Sequence, residues 1–115
     1  MEQKMTKKID TDTIKDYGIK IVMNEEKIIN ENKYRLEEIY NKIDELADFA
    51  RMEKVDKYNY ISKNETPSDL GCFVWSNLNK RSWFIENVKE WLWYTPADGI
   101  LDIIEFRKQK AMNQI

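Results

Sequence analysis

Histidine is absent from all 115 residues. That removes at once the commonest general base near neutral pH and the commonest transition-metal ligand. Cysteine occurs once, at Cys72, so no internal disulfide forms, no cysteine-rich zinc site can be assembled, and the lone thiol fits a reducing compartment. The three glycines, Gly18, Gly71 and Gly99, stand isolated, which excludes a glycine-rich phosphate loop. No apolar run approaches the roughly 18 residues of a membrane span, because stretches such as Trp91–Tyr94 and Gly99–Leu101 are short and bounded by charge. The opening MEQKMTKKID has lysines with no apolar segment behind them, so it does not read as a secretory signal. The absences point to a cytoplasmic protein with no membrane association, no cofactor and no metal.

What is present is ordinary for a globular chain: 42% hydrophobic and 35% charged residues argue against wholesale disorder. A chain of this length builds one core, so a single domain over 1–115 is expected, with 1–10 flexible. The net charge of −2 is spread evenly, with 11 basic and 13 acidic residues through Lys54 and 8 of each after it, so neither half is a basic domain suited to nucleic acid. Aromatic residues are uneven. Ten of the 14 follow Val55, and all four tryptophans are among them. Heavy use of Lys, Ile, Asn and Glu is what AT-rich coding favours, which points to a low-GC bacterium or one of its mobile elements.

Helical periodicity is strongest in the first half, where Val22, Ile29, Leu36, Ile43 and Ala50 recur at heptad intervals with Ile39 and Leu46 between them. This predicts a long amphipathic helix over 20–54, about 50 Å at 1.5 Å per residue, which must either break or be covered by a second chain. Residues 55–65 read as a loop, with room for a short extended piece around Tyr58–Ile61. Thr66-Pro-Ser-Asp and Thr95-Pro-Ala-Asp then form one device used twice: Thr as N-cap, Pro at the first helical position and Asp at the third. With Ser82 as a third cap, the second half reads as helices over 67–79, 83–94 and 96–112. The expected fold is an all-α bundle of about four helices.

On a helix over 83–94, Phe84, Ile85, Val88, Trp91 and Leu92 share the core side, Trp83 and Tyr94 flank it, and Trp93 falls on the polar side among Glu86, Lys89 and Glu90. A tryptophan there either folds back on a neighbouring element or anchors a partner, since Trp is enriched at interface hot spots. Trp75, at the edge of the apolar face of the 67–79 helix, poses the same choice. Trp75, Trp83, Trp93 and Tyr94 are therefore the candidate protein-binding surface. The stripe Leu36, Ile39, Ile43, Leu46 and Ala50 is the candidate seam for self-association into a homodimer.

Tests for chemistry assign no catalytic, cofactor-binding or metal-binding residue. Cys72 has no histidine to activate it. Glu25-Glu26 and Glu45-x-x-Asp48 resemble the acidic motifs of all-helical nucleotide pyrophosphohydrolases of the MazG type, a resemblance that would imply Mg²⁺-dependent hydrolysis. Ile29 stands where that pattern has its next glutamate, and both pieces fall on one predicted helix, too far apart to share a metal. Lys80, Arg81 and Lys89 on the 67–94 helix pair would serve a DNA-binding alternative, but the turn lacks glycine, and Glu86 and Glu90 would meet phosphate. The leading expectation is a small non-enzymatic regulator or inhibitor that binds another protein; the alternatives are a DNA-binding regulator and a homodimeric adaptor.

Overall fold

The computed structural model describes residues 16–113; the segment 1–10, expected to be flexible, lies outside them. Along the chain run β1 (Gly18–Met23), α1 (Glu25–Glu31), α2 (Leu36–Phe49), β2 (Met52–Lys54), β3 (Asn59–Ser62), α3 (Pro67–Val74), a 3₁₀ turn (Leu78–Lys80), α4 (Ser82–Ile85), β4 (Val88–Thr95), β5 (Gly99–Asp102) and α5 (Ile103–Asn113). The strands form one antiparallel sheet in the order β2-β3-β1-β4-β5. The fold is α+β, and the expected all-α bundle is overturned.

Three local causes account for the correction. First, the expected helix over 20–54 begins as a strand, because Ile19, Ile21 and Met23 alternate with Lys20 and Val22, and only the first set is buried. The remainder is cut in two at Asn32, whose left-handed backbone at φ 52° ends α1. Second, VKEWLWYT, read as part of a helix over 83–94, is rich in aromatic and β-branched residues and pairs as β4 along the whole of β1. The helix before it is only the four residues of α4.

Third, the two Thr-Pro-x-Asp segments part ways. Thr66 caps α3, its Oγ1 accepting from the Ser68 amide at 3.2 Å. Thr95 accepts instead from the amide three residues on, that of Asp98 at 2.9 Å, and Gly99 follows at φ 73° and turns the chain back into β5. The result is a three-residue hairpin loop leaving through a left-handed glycine, where a helix over 96–112 was expected. Helix returns only at Ile103.

One sheet face and the helices on it make the core. Ile19, Ile21, Met23, Met52, Tyr60 and Trp91 join Ile39, Ile43, Ala47 and Ala50 of α2 and its C-terminus, with Leu70, Phe73, Val74, Leu78 and Phe84 beside them. Tyr60 meets Phe73 edge-on at 5.3 Å, and Phe84 meets Trp91 at 4.8 Å. Trp91 is fully buried and its Nε1 has no hydrogen-bond partner among the described residues. That orphan costs about 1–3 kcal/mol. Burying a ring of that size contributes about 4–6 kcal/mol of gross transfer, so the indole stays inside.

Polar side chains fasten the layers at their ends. Ser62 on β3 donates to Asp69 in the first turn of α3 at 2.7 Å and accepts from the Thr66 amide at 3.1 Å, which docks α3 on the sheet. The buried Asn87 donates to the Trp83 carbonyl at 2.8 Å and accepts from Lys27 at 3.2 Å, tying α4 to α1. Asn77, just beyond the end of α3, turns back on that helix and donates to the Cys72 carbonyl at 2.7 Å. Among the described residues no helix is long and apolar enough to cross a membrane.

Candidate protein-interaction surface

Strand geometry settles where the aromatic residues of β4 point. Successive side chains alternate between faces, so Trp91 and Trp93 share the helix-covered face while Leu92 and Tyr94 lie on the other. Trp93 is therefore no anomaly of a polar helix side. It sits two residues beyond Trp91 toward the hairpin, where the helical layer thins to the end of α3 and the flank of α5.

There it meets Trp75, which closes the C-terminus of α3 by donating its amide to the Gly71 carbonyl at 2.9 Å. The two indoles lie 6.3 Å apart, tilted by 31°. Phe106 of α5 packs on the other side of Trp75 at 5.7 Å and remains 37% exposed, which makes it one of the largest exposed apolar side chains of the described surface. Trp75 thus divides two neighbouring concavities. One, of about 560 Å³, lies between Trp75, Asn79, Phe106, Arg107 and Lys110; the other, of about 290 Å³, lies between Trp75, Trp93, Asp98, Ile100 and Leu101.

Of the four aromatic residues singled out from sequence, two converge and two do not. Trp83 packs edge-on against Phe84 at 6.2 Å, with the Lys42 ammonium 5.5 Å from its ring centre, in a separate depression beside Arg81. Tyr94 lies on the opposite sheet face over Gly18, and burial pushes its hydroxyl up to about 12. Phe106, Ile100 and Arg107 join the surface without having been singled out for it. The available signal was the pair Asp98-Gly99, which marks a hairpin and would have moved Trp93 onto a strand.

The stripe read as a self-association seam is the sheet-facing side of α2. Ile39, Ile43 and Ala50 are at most 2% exposed, and Leu36 and Leu46 pack half-buried at its margin. The residues read for DNA scatter: Lys80 ends the 3₁₀ turn, Arg81 follows it, and Lys89 projects from β4. The helix meant to follow them into a groove is α4, about one turn long.

Two carboxylate clusters clamp the far end of the helical layer. Glu25 accepts from the Tyr40 hydroxyl and pairs with Lys57 at 3.2 Å. The Tyr40 hydroxyl first, and Lys57 second, hold the Glu25 carboxyl below its usual range. Asp44 accepts from the Tyr60 hydroxyl at 2.6 Å and pairs with Lys54 at 3.2 Å. Burial first, and the facing carboxylate second, raise both tyrosines, so these phenols act as fixed donors and not as bases. Glu45 and Asp48 belong to α2 and Glu25 to α1, and among the described residues no three acidic or cysteine side chains converge as metal ligands.

No known protein family, curated protein or solved structure matches the chain. The functional reading therefore rests on the surface itself. That surface offers partly exposed aromatic walls, a neighbouring short edge strand and a flank of cations on α5.

Proposed function

We propose that this protein is a small non-enzymatic regulator or inhibitor that binds another protein through the surface formed by Trp75, Trp93 and Phe106. The observation that carries the reading is the contiguity of three partly exposed rings around two concavities, contributed by α3, β4 and α5. Rigid aromatic side chains held in place by their own fold lose little conformational freedom on binding, and such residues dominate interface energetics. The half-buried lone thiol of Cys72 supports action in a reducing compartment such as the cytoplasm. The composition supports a mobile-element origin in a low-GC bacterium.

The test is capture of the tagged full-length chain from lysate of its native cells at physiological salt, with stoichiometric partners identified by mass spectrometry. A single dominant protein, lost when Phe106→Ala replaces the wild type, is the expected result. Recovery of DNA that dissociates on raising salt, or of nothing beyond an untagged copy of the chain, contradicts the reading.

A further inference from the structure

We propose that the partner segment received by the larger concavity is an acidic peptide, in which carboxylates alternate with apolar side chains; this rests on the reading of the aromatic surface as a protein interface. Arg107 is the centre of the argument. Its Nε donates to Asn79 Oδ1 at 2.7 Å, so the half-buried guanidinium is held in one orientation from the 3₁₀ turn, with its two terminal nitrogens left for a second acceptor. Lys110 lies three residues further along α5 on the same wall.

Among the cations that line the described concavities these two are set apart: Lys42 and Arg81 share theirs with Glu45, and Lys89 and Lys108 share theirs with Glu90, Asp102 and Glu105. Lys20 faces Glu90 at 3.1 Å, Lys54 faces Asp44 at 3.2 Å and Lys57 faces Glu25 at 3.2 Å. Arg107 and Lys110 have no carboxylate partner among the described residues, and no described carboxylate lines their concavity. In a chain of net charge −2 that is a local positive site set between two aromatic walls, Trp75 and Phe106. An aliphatic or aromatic side chain on the rings, with a carboxylate on the Arg107 fork and another near Lys110, satisfies every wall at once.

The surroundings select a peptide over a nucleic acid. Asp98 borders the adjoining concavity, and Asp102 and Glu105 line the next one along α5 beside Lys108. A backbone with regularly spaced phosphates would meet these carboxylates within one or two nucleotides. The chain's own opening residues are a poor match as well, since Lys4, Lys7 and Lys8 outnumber Glu2 and Asp10 there.

The test titrates the isotope-labelled full chain with a short peptide alternating Glu with Leu and Phe, with its Glu→Gln counterpart, and with a single-stranded oligothymidylate. The acidic peptide is expected to shift the indole resonances of Trp75 and Trp93 and the side-chain Nε–H of Arg107. It is expected to bind roughly tenfold more tightly than the amide peptide, and to lose that advantage in Lys110→Glu, an exposed change, and in Arg107→Gln. Equal affinity for both peptides at these resonances overturns the acidic partner and leaves the aromatic interface standing. A response to the oligothymidylate alone overturns it in favour of nucleic acid. Silence at Trp75, Trp93 and Arg107 overturns it outright, and the interface is then judged by the lysate capture with Phe106→Ala.

Discussion

The ring of Tyr94 occupies the space above Gly18 on the neighbouring strand: a Cβ at residue 18 would lie 2.4 Å from both Cζ and Oη of the tyrosine. Glycine is required at this position by the close approach of a side chain, and the sheet's second face is fixed by that contact.

Gly18→Ala is expected to lower stability by about 1–3 kcal/mol in chemical denaturation, because the ring must swing out of its site. The loss shrinks in a Tyr94→Ala background, where the clash no longer exists. Equal losses in both backgrounds would contradict the account. The burial-raised hydroxyl of Tyr94 adds stability that is complete below about pH 10 and is lost as pH rises through about 12.

At the hairpin, Gly99 holds φ at 73°. Gly99→Ala places a Cβ in the left-handed region and costs about 1–2 kcal/mol, while Gly99→Asn costs less because its short polar side chain tolerates that conformation. Thermal unfolding of the two variants checks the order. A harmless Gly99→Ala would mean that the loop does not depend on this backbone conformation.

The Tyr40 hydroxyl supplies the largest share of the lowering at Glu25. A carboxyl held below its unfolded value of 4.5 contributes stability above that pH and loses it as pH falls through the lowered folded value. Tyr40→Phe should let the carboxyl rise toward 4.5 and should remove most of this group's part in the acid dependence of stability. Carboxyl NMR titration of Glu25 in the two proteins decides it, and an unchanged titration would assign the lowering to Lys57 instead.

The sequence's helical periodicity was readable where packing is one-sided and the element is long. α2 carries its buried Ile39, Ile43 and Ala47 at helical spacing, and Thr66-Pro67 marks the start of α3 as its cap chemistry requires. The strands were hidden for physical reasons that differ from place to place. β1 is six residues long, and its Val22 falls in register with the heptad positions of α2, so a period of two was absorbed into a longer period of seven. β4 carries apolar residues on both faces, because one faces the helices and the other holds Leu92 and Tyr94 over the sheet, so it shows no clean alternation. At Thr95 the hydroxyl again accepts from an amide of the following turn, that of Asp98 where Thr66 takes that of Ser68, and Gly99 at φ 73° then leads the chain into the hairpin.

The site followed the fold. Trp75 and Trp93 were read as surface candidates on separate helices, and their contact depends on β4 being a strand that ends beside α3. Trp83 and Tyr94 looked equivalent to them in sequence, because aromatic content carries no information about which layer a ring will enter. Arg107 lies midway along α5, and its bond to Asn79 is a tertiary contact spanning 28 positions that leaves no local pattern.

The proposed working face is formed by Trp75, Trp93 and Phe106. It is tested most directly by measuring the captured partner's affinity for two variants, Phe106→Ala on that face and Trp83→Ala beside Lys42, with folding checked by denaturation. A loss of at least tenfold is expected for Phe106→Ala, as for an interface anchor, with little change for Trp83→Ala. Undiminished affinity in Phe106→Ala together with a large loss in Trp83→Ala would place the interface on α4 and not on the Trp75–Trp93–Phe106 face.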